Sequence, residues 1–557
     1  MDKQTSKPNR LGEQLLERGR ITPVQIEYAL QKQRMEGGYL GQILLSQGLI
    51  SGDDLARHLA EQRNIPFIQS HEPLPVPDTE VIRLFNREIC LAKGFMPVKH
   101  RAGRLQVVLG DADPRQIQET VHRRYGLECD FVQGEFGRVA AWIRHVYYFI
   151  HNPIEELIEK ELRTLSQDVD RARGPEKLLE YLLHHAVHQR STDIHIDPSS
   201  HSYHVLYRVD GVLRPMFAMP LALQRLITYI KLTAEMDISE QRRPQDGSFH
   251  IQVLELPYTI RVSTLVTEYG ERMVLRLLPE RAELAHLEQL GFRERDIARL
   301  RNLFANPSGM VLVTGPTGSG KSTTLHAALR LQALIERNVL TVEDPIEYRL
   351  PTVCQTEVNR RSGYEFSTAL RHFLRHDPDV ILVGEIRDAE TAQATVTASA
   401  TGHLVLSTLH VGSVFGVIPR LMPMGLAAAT IADNLLAVIN QRLVRQVCPY
   451  CAEPIEPTPG LLEWLGSDLS ADAQPKKGKG CEHCGHSGFY ERLPVYEVLV
   501  IDHQLANAIA EESSRARLRE IAHESGFETM MQLAKWRVAR GQTTFEEVMR
   551  VVGESEL

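Results

Sequence analysis

The chain has 557 residues, 43% of them apolar and 24% charged, which is material for roughly three to five globular domains. A formal net charge of −8 speaks against a general nucleic-acid binder, and there is no run of about 18 or more apolar residues to suggest a membrane-spanning helix. The opening MDKQTSKPNR lacks the apolar core of a signal peptide, so a cytoplasmic protein is expected, held at a membrane only through a partner.

In chain order, the first feature is an internal repeat. Residues 10–33 read RLGEQLLERGRITPVQIEYALQKQ, and residues 39–62 read YLGQILLSQGLISGDDLARHLAEQ, an offset of 29 positions. Leu11/Leu40, Gly12/Gly41, Leu15/Leu44, Leu16/Leu45, Gly19/Gly48, Ile21/Ile50, Leu30/Leu59 and Gln33/Gln62 coincide. Each copy predicts a short helix, a glycine turn and a second helix, with Thr22 and Ser51 as N-caps. Residues 70–145 predict a mixed α/β region with a strand at Arg104 to Leu109. A charged stretch from about Ile154 to Pro175 predicts a helix and then a linker. A further helix follows, then strands near 192–217 and 250–278. From Gly309 to about Leu443 strands and helices alternate, as in a parallel-sheet domain. Two CxxC pairs come next, then a helical tail from about Asp502.

The apolar run from Gly309 to Thr314 leads into Gly315-Pro-Thr317-Gly318-Ser319-Gly320-Lys321-Ser322-Thr323, and a helical pattern follows. Strand, glycine loop and helix in this order form a phosphate-binding loop. Its glycines let successive N–H groups turn inward on phosphate, Lys321 brings positive charge to the β- and γ-phosphates, and Ser322 is a Mg²⁺ ligand. Two further apolar strands end in acids: Val339-Leu-Thr-Val-Glu343-Asp344, and Asp379-Val-Ile-Leu-Val-Gly-Glu385. In a parallel sheet such ends gather at one edge, so these carboxylates are expected to converge on the loop, where one reaches Mg²⁺ or polarises the attacking water. The plainer alternative is that each caps the next helix.

GPTGSGKSTTL, TVEDPIEY, LRHFLRHDPDVILVGEIRD and TGHLVLSTLH together resemble the secretion-ATPase family, whose members drive type II secretion and type IV pilus assembly. The resemblance runs from about residue 175 to the C-terminus. It implies that Glu343 and Asp344 belong to an acidic box, that Glu385 is the catalytic carboxylate, and that His403 and His410 lie near the γ-phosphate. For His403 the alternative is a satisfied histidine at a strand start. His410 is followed by Val-Gly-Ser where relatives often carry Thr-Asn-Asp. STDIHIDP from Ser191, YRVDGV from Tyr207, RPQDG from Arg243 and RVST from Arg261 also resemble the family, and imply a PAS-like domain that closes over nucleotide. A fixed cation there offsets charge on the transferred phosphoryl group; Arg208, Arg261 and Arg276 are the candidates, with ordinary ion pairing as the alternative.

Cys448-Pro-Tyr-Cys451 and Cys481-Glu-His-Cys484 stand 29 residues apart. Four thiolates in two close pairs suit a closed tetrahedral Zn²⁺ site, against unbound or redox thiols as the alternative. His483 and His486 are left out of the ligand set because four cysteines suffice. Cys90, Cys129 and Cys354 are scattered. The GHSGFYER that follows resembles the family's zinc subdomain, which implies docking to an inner-membrane platform protein.

A duplicated unit suits a pseudo-twofold ligand. The repeated pattern resembles the cyclic-di-GMP-binding domain of MSHA-type pilus ATPases. That resemblance implies a ligand set of Arg10, Leu11, Gly12, Leu15, Leu16 and Gln33 from one copy, and Tyr39, Leu40, Gly41, Leu44, Leu45 and Gln62 from the other. On that resemblance Arg10 would meet a guanine or phosphate, and Tyr39 could stack but cannot donate bidentately. A purely structural helical repeat is the alternative.

These readings predict an α/β multidomain chain. Residues 1–150 are expected to form the helical and α+β cyclic-di-GMP-binding-like domain, 151–175 a linker, and 176–285 the PAS-like α+β domain. Residues 286–557 are expected to form a RecA-like ATPase core with a zinc subdomain at about 446–492 and a helical tail at 502–557. The function expected is a homohexameric ATPase at the cytoplasmic face of the inner membrane. It would power pilus assembly or type II secretion with ATP, Mg²⁺, Zn²⁺ and cyclic-di-GMP. The rival readings are a non-hydrolysing scaffold, a pilus-retraction ATPase and a nucleic-acid translocase.

Overall fold

A computed structural model of the chain describes residues 11–70, 72–167, 174–221, 224–280, 286–332 and 335–553. These fall into two compact units, one drawn from residues 1–55 and 283–557, the other from 56–282. Arg10 lies outside the described residues.

The repeat folds as predicted, into α1 (Leu11–Glu17), α2 (Pro23–Glu36), α3 (Leu40–Ser46) and α4 (Gly52–Arg63). Thr22 caps α2 through the N–H of Gln25, and Ser51 caps α4 through the N–H of Asp54 at the equivalent place. The conserved spacing of the two copies has a packing cause. A Cβ on Gly12 would collide with Ile26, and one on Gly41 would meet the equivalent Leu55 at 2.8 Å. Leu40 of the second copy also approaches Gly12, and Leu11 of the first approaches Gly41. The two copies therefore exchange leucines about a pseudo-twofold axis.

In the second unit, α5 (Thr79–Leu84) and α6 (Arg87–Lys93) lead into β1 (Phe95–Arg101) and β2 (Arg104–Leu109), then α7 (Pro114–Tyr125), β3 (Glu128–Gln133) and α8 (Phe136–His151). The sheet order is β1-β2-β3, with β1 antiparallel and β3 parallel to β2, over a core that includes Val107, Leu109, Ile117 and Ile143. After α9 (Ile154–Gln167) and α10 (Pro175–His188) come β4 (Ser191–Pro198), β5 (Ser202–Val209), β6 (Val212–Pro220), α11 (Gln224–Thr233), β7 (Gln245–Val253), β8 (Leu256–Thr267) and β9 (Gly270–Pro279). Their antiparallel sheet has the order β6-β5-β4-β9-β8-β7.

The rest of the first unit begins with α12 (Glu294–Phe304), β10 (Gly309–Thr314), α13 (Lys321–Arg330), β11 (Val339–Glu343), β12 (Cys354–Glu357), α14 (Phe366–Phe373), β13 (Val380–Val383), α15 (Ala389–Ala400) and β14 (Leu404–Leu409). It continues through α16 (Val417–Leu421), α17 (Ala428–Asn434), β15 (Leu435–Val447), β16 (Ala452–Pro454), α18 (Pro459–Leu465), α19 (Ser467–Ser470), β17 (Lys476–Gly478) and β18 (Phe489–Val500) to α20 (His503–Ala510), α21 (Arg515–Glu524), α22 (Met530–Ala539) and α23 (Phe545–Val551). The sheet order is β12-β11-β13-β14-β10-β15-β18, parallel except for the β15–β18 pair. Alternate residues of β10 feed opposite cores: Val311 and Val313 face one, Met310 and Leu312 the other.

The division between the units falls inside α4, so the repeat up to Leu55 groups with the ATP-site unit and the rest of residues 56–150 with the second unit. Leu15, Ile21, Ile43, Leu44 and Ile50 share a core with Leu287, Leu300 and Leu329, and Thr22 Oγ1 donates to Glu336 at 2.7 Å. Within 151–175, Ile154 and Ile158 of α9 are buried in the core beneath the six-stranded sheet. Among the described residues no helix is long and apolar enough to cross a membrane.

Candidate functional site

The loop between β10 and α13 closes because Gly315 has φ +137, where an added Cβ would collide with the Gln441 carbonyl oxygen. Gln441, from β15, donates to the Ser319 carbonyl at 2.7 Å and accepts from Thr324 at 3.0 Å, so the neighbouring strand holds the end of the loop and the first turn of its helix. The Lys321 ammonium is buried against the loop, donating to the carbonyls of Gly315 at 3.0 Å and Pro316 at 2.9 Å. Burial pushes its pKa below the usual lysine value, against the opposing charges of Glu385 and Glu347.

Glu385 follows β13 at the same sheet edge. Arg387 Nη2 lies 2.5 Å from one of its oxygens, and His410 Nε2, just past β14, lies 3.6 Å from the other. Arg387 also reaches Asp344 at 4.0 Å, and Arg360 holds Asp344 at 2.9 Å. Burial lowers the His410 pKa, helped by Lys321 and Arg387 and resisted by Glu385, so the ring is neutral at pH 7. Lysine, carboxylate, neutral imidazole and guanidinium thus meet at the mouth of a phosphate loop. That constellation has the chemistry to hold polyphosphate and to orient a water for attack on it.

Two predicted residues stand elsewhere. His403 precedes β14, while the parallel register pairs Gly309 with Leu404 and Thr314 with Leu409. It therefore sits at the sheet edge opposite the loop, with Nδ1 2.8 Å from the Ala398 carbonyl, and does not join His410. Glu343 ends β11 as predicted but is buried, accepting from Thr341 at 2.7 Å and Gln355 at 3.0 Å, with His326 Nε2 at 3.1 Å. It reaches the loop's helix rather than Lys321. Sequence reasoning singled out neither His326, one turn beyond Ser322, nor Arg387, which lay inside the quoted GEIRD motif.

In the second unit the three candidate arginines form one row. Across β5, β4, β9 and β8 the register pairs Arg208 with Asp193, Asp193 with Arg276, and Arg276 with Arg261. Asp193 lies 3.0 Å from Arg276 and 3.9 Å from Arg208, leaving a net cationic, solvent-facing stripe.

The four cysteine sulfurs lie within 4.8 Å of one another, with separations of 3.8 Å (Cys448–Cys481), 3.9 Å (Cys451–Cys484) and 3.7 Å (Cys481–Cys484). A tetrahedron with Zn–S bonds of about 2.3 Å has edges of about 3.8 Å. The donor set therefore fits zinc. Burial raises the Cys484 thiol pKa, but the amides of Cys481 and Gly488 pointing at its sulfur outweigh this and bring it to about 7. His483 stacks on Tyr450 and stays outside the cluster.

In the repeat, Gly12, Leu15, Gly41 and Leu44 are buried, Leu11, Leu16, Gln33, Leu40 and Leu45 half-buried, and Tyr39 and Gln62 exposed. Gln33 donates to the Gly38 carbonyl at 2.8 Å.

A phosphate loop on a parallel sheet, with a carboxylate and a neutral histidine at its mouth, defines a P-loop ATPase of the RecA-like class. The chain belongs to the type II/IV secretion system protein family, whose model matches residues 170–550, and is an ATPase of that family. An MshEN domain model matches residues 64–152, after the tandem repeat. The type IV pilus assembly ATPase PilB of Thermus thermophilus is 35% identical over 97% of this chain, which spans 66% of that protein's length. Type II secretion system protein E of Pseudomonas aeruginosa is 43% identical over 68% of this chain and 75% of its own. The crystal structure of the Legionella pneumophila ATPase DotB covers 66% of this chain and 93% of its own, with 22% identity and a TM-score of 0.49.

Proposed function

We propose that this chain is a homohexameric motor that couples ATP hydrolysis to type IV pilus assembly or type II secretion, under the control of cyclic-di-GMP. The observation that carries the hydrolytic part is the meeting of Lys321, Glu385, His410 and Arg387 at the loop mouth. Lys321 and the loop amides hold the β- and γ-phosphates, and the Ser322 hydroxyl would hold Mg²⁺, which supplies charge neutralisation when bound. Glu385 orients and polarises the attacking water. His410, neutral, sits beside it to hydrogen-bond the γ-phosphate. The arginine row of Arg208, Arg276 and Arg261 is the cationic face we assign to nucleotide phosphate, and the four cysteines to a zinc that stiffens a surface for an inner-membrane platform protein.

Steady-state ATPase assays test the hydrolytic part. Glu385→Gln lowers kcat by about 100-fold or more with KM for ATP little changed; equal rates would remove Glu385 from the mechanism.

For cyclic-di-GMP, support comes from the reciprocal packing of the two copies, which matches the twofold character of the ligand, and from the adjoining MshEN match. Burial of Leu15 and Leu44 favours the structural alternative. Calorimetry on the full chain decides between them. Binding at or below tens of micromolar is expected, and no heat in that range leaves the repeat structural.

A further inference from the structure

His326 stands on α13 one turn after Ser322, and its side chain is 2% exposed. Its Nδ1 lies 2.8 Å from the Ser322 carbonyl oxygen, which only accepts, so Nδ1 carries a proton. On the other side of the ring Nε2 lies 3.1 Å from Glu343 Oε2, with the N–H direction off the line to that oxygen. The link is therefore chiefly electrostatic. Glu343 itself is almost fully buried and spends its other oxygen on Thr341 and Gln355. Gln355, from β12, also donates to the Tyr348 carbonyl at 2.8 Å and accepts from the Leu350 amide at 2.8 Å. It thereby fastens the loop that carries Glu347. The Tyr348 ring meets His326 edge-on at 5.2 Å.

We propose that His326 is a positioning residue for ATP hydrolysis: it ties the end of β11 and the loop after it to the first turn of the helix that bears Lys321 and Ser322. The inference rests on hydrolysis at this loop. Glu343 has no path to the phosphates through Lys321, whose charged neighbours are Glu385 and Glu347. Its path is through the imidazole to the Ser322 carbonyl. Separating a buried carboxylate from its partner is costly, so β11 and the start of α13 keep a fixed spacing. The same tie sets where Glu347 stands relative to Lys321. Histidine suits the task because its two ring nitrogens face opposite ways and engage two elements at once.

The test is steady-state ATPase kinetics of the full chain for wild type, His326→Asn, His326→Gln and Glu343→Gln, with Lys321→Ala as the blank. Asparagine keeps the near contact to Ser322 and loses Glu343; glutamine reaches Glu343. The expected result is that His326→Asn lowers kcat about tenfold with KM for ATP within about twofold, while His326→Gln stays within about threefold of wild type. Glu343→Gln added to His326→Asn brings no further loss, because the two act as one unit. A wild-type kcat in His326→Asn overturns the proposal. So does a loss that tracks only the folded fraction, or one confined to KM. Should His326→Asn fail to fold, Glu343→Gln is read in its place: a kcat loss of about tenfold with KM for ATP within about twofold is expected, and a wild-type kcat there overturns the proposal. A wild type no faster than Lys321→Ala sinks the hydrolysis reading and this one together; a working wild type matched by His326→Asn sinks only this one.

Discussion

Glu343 and Glu385 end neighbouring strands, since β11 pairs with β13, yet one turns into the protein and the other toward the loop. Sequence gives both the same address, a carboxylate at a strand end. What separates them is which helix each meets, and that depends on contacts between residues far apart in the chain. The same holds for His403 and His410, legible as a pair in one motif but divided by the length of β14. Residue-scale chemistry also sets a pH response in the second unit. His145 bonds His188 at 3.0 Å and packs on Phe149, and burial, aided by the charge of Arg190, brings its pKa down to about 4. The unfolded chain, with an ordinary value of about 6.5, takes up a proton between pH 6.5 and 4 that the folded chain refuses. Stability of this unit therefore falls as pH drops through that window, by about 3 kcal/mol at most. Denaturant midpoints at pH 7 and 4.5 should differ less in His145→Phe than in wild type; an unchanged difference removes His145 as the cause.

At the scale of elements, the tetracysteine hairpin should behave as a metal-folded piece. One zinc per chain is expected by elemental analysis, and Cys481→Ser or chelation should lower the melting temperature of the ATP-site unit by about 5 °C or more. Retention of the wild-type melting curve after complete metal removal would argue that the thiols pack without a metal. Most elements were legible. The β10–loop–α13 unit, the CxxC pairs and the two capped repeats follow from local rules, in which spacing and residue type suffice. The 151–175 segment was legible as a helix but not as a packed one, because Ile154 and Ile158 reveal their partners only after Leu178 and Leu182 are placed beside them. The arginine row was legible as three candidates and not as a row, because strand register is fixed by turns and bulges such as that between Ser191 and Asp193.

For the whole molecule, the joining of the first 55 residues to the ATP-site core separates apolar burial from surface charge. Arg20 pairs with Glu288 and Asp54 at 3.4 Å each, but is a third exposed, so Arg20→Ala should cost under about 1 kcal/mol. Leu44 is 0% exposed within the shared core, and Leu44→Ala should cost about 2–5 kcal/mol, read as a downward shift of the ATP-site unit's unfolding transition. A shift confined to a separate minor transition would mean that the repeat melts by itself.

The same seam has a consequence for synthesis. Leu44 leaves the ribosome more than 240 residues before Leu287 and nearly 290 before Leu329, its companions in one core. The repeat must wait, its leucine faces uncovered, while the second unit is made and folds on its own contacts. Slow translation across residues 56–330 is therefore expected to lower the yield of this protein. A pause late in that interval leaves Leu15, Ile43 and Leu44 uncovered and prone to aggregate.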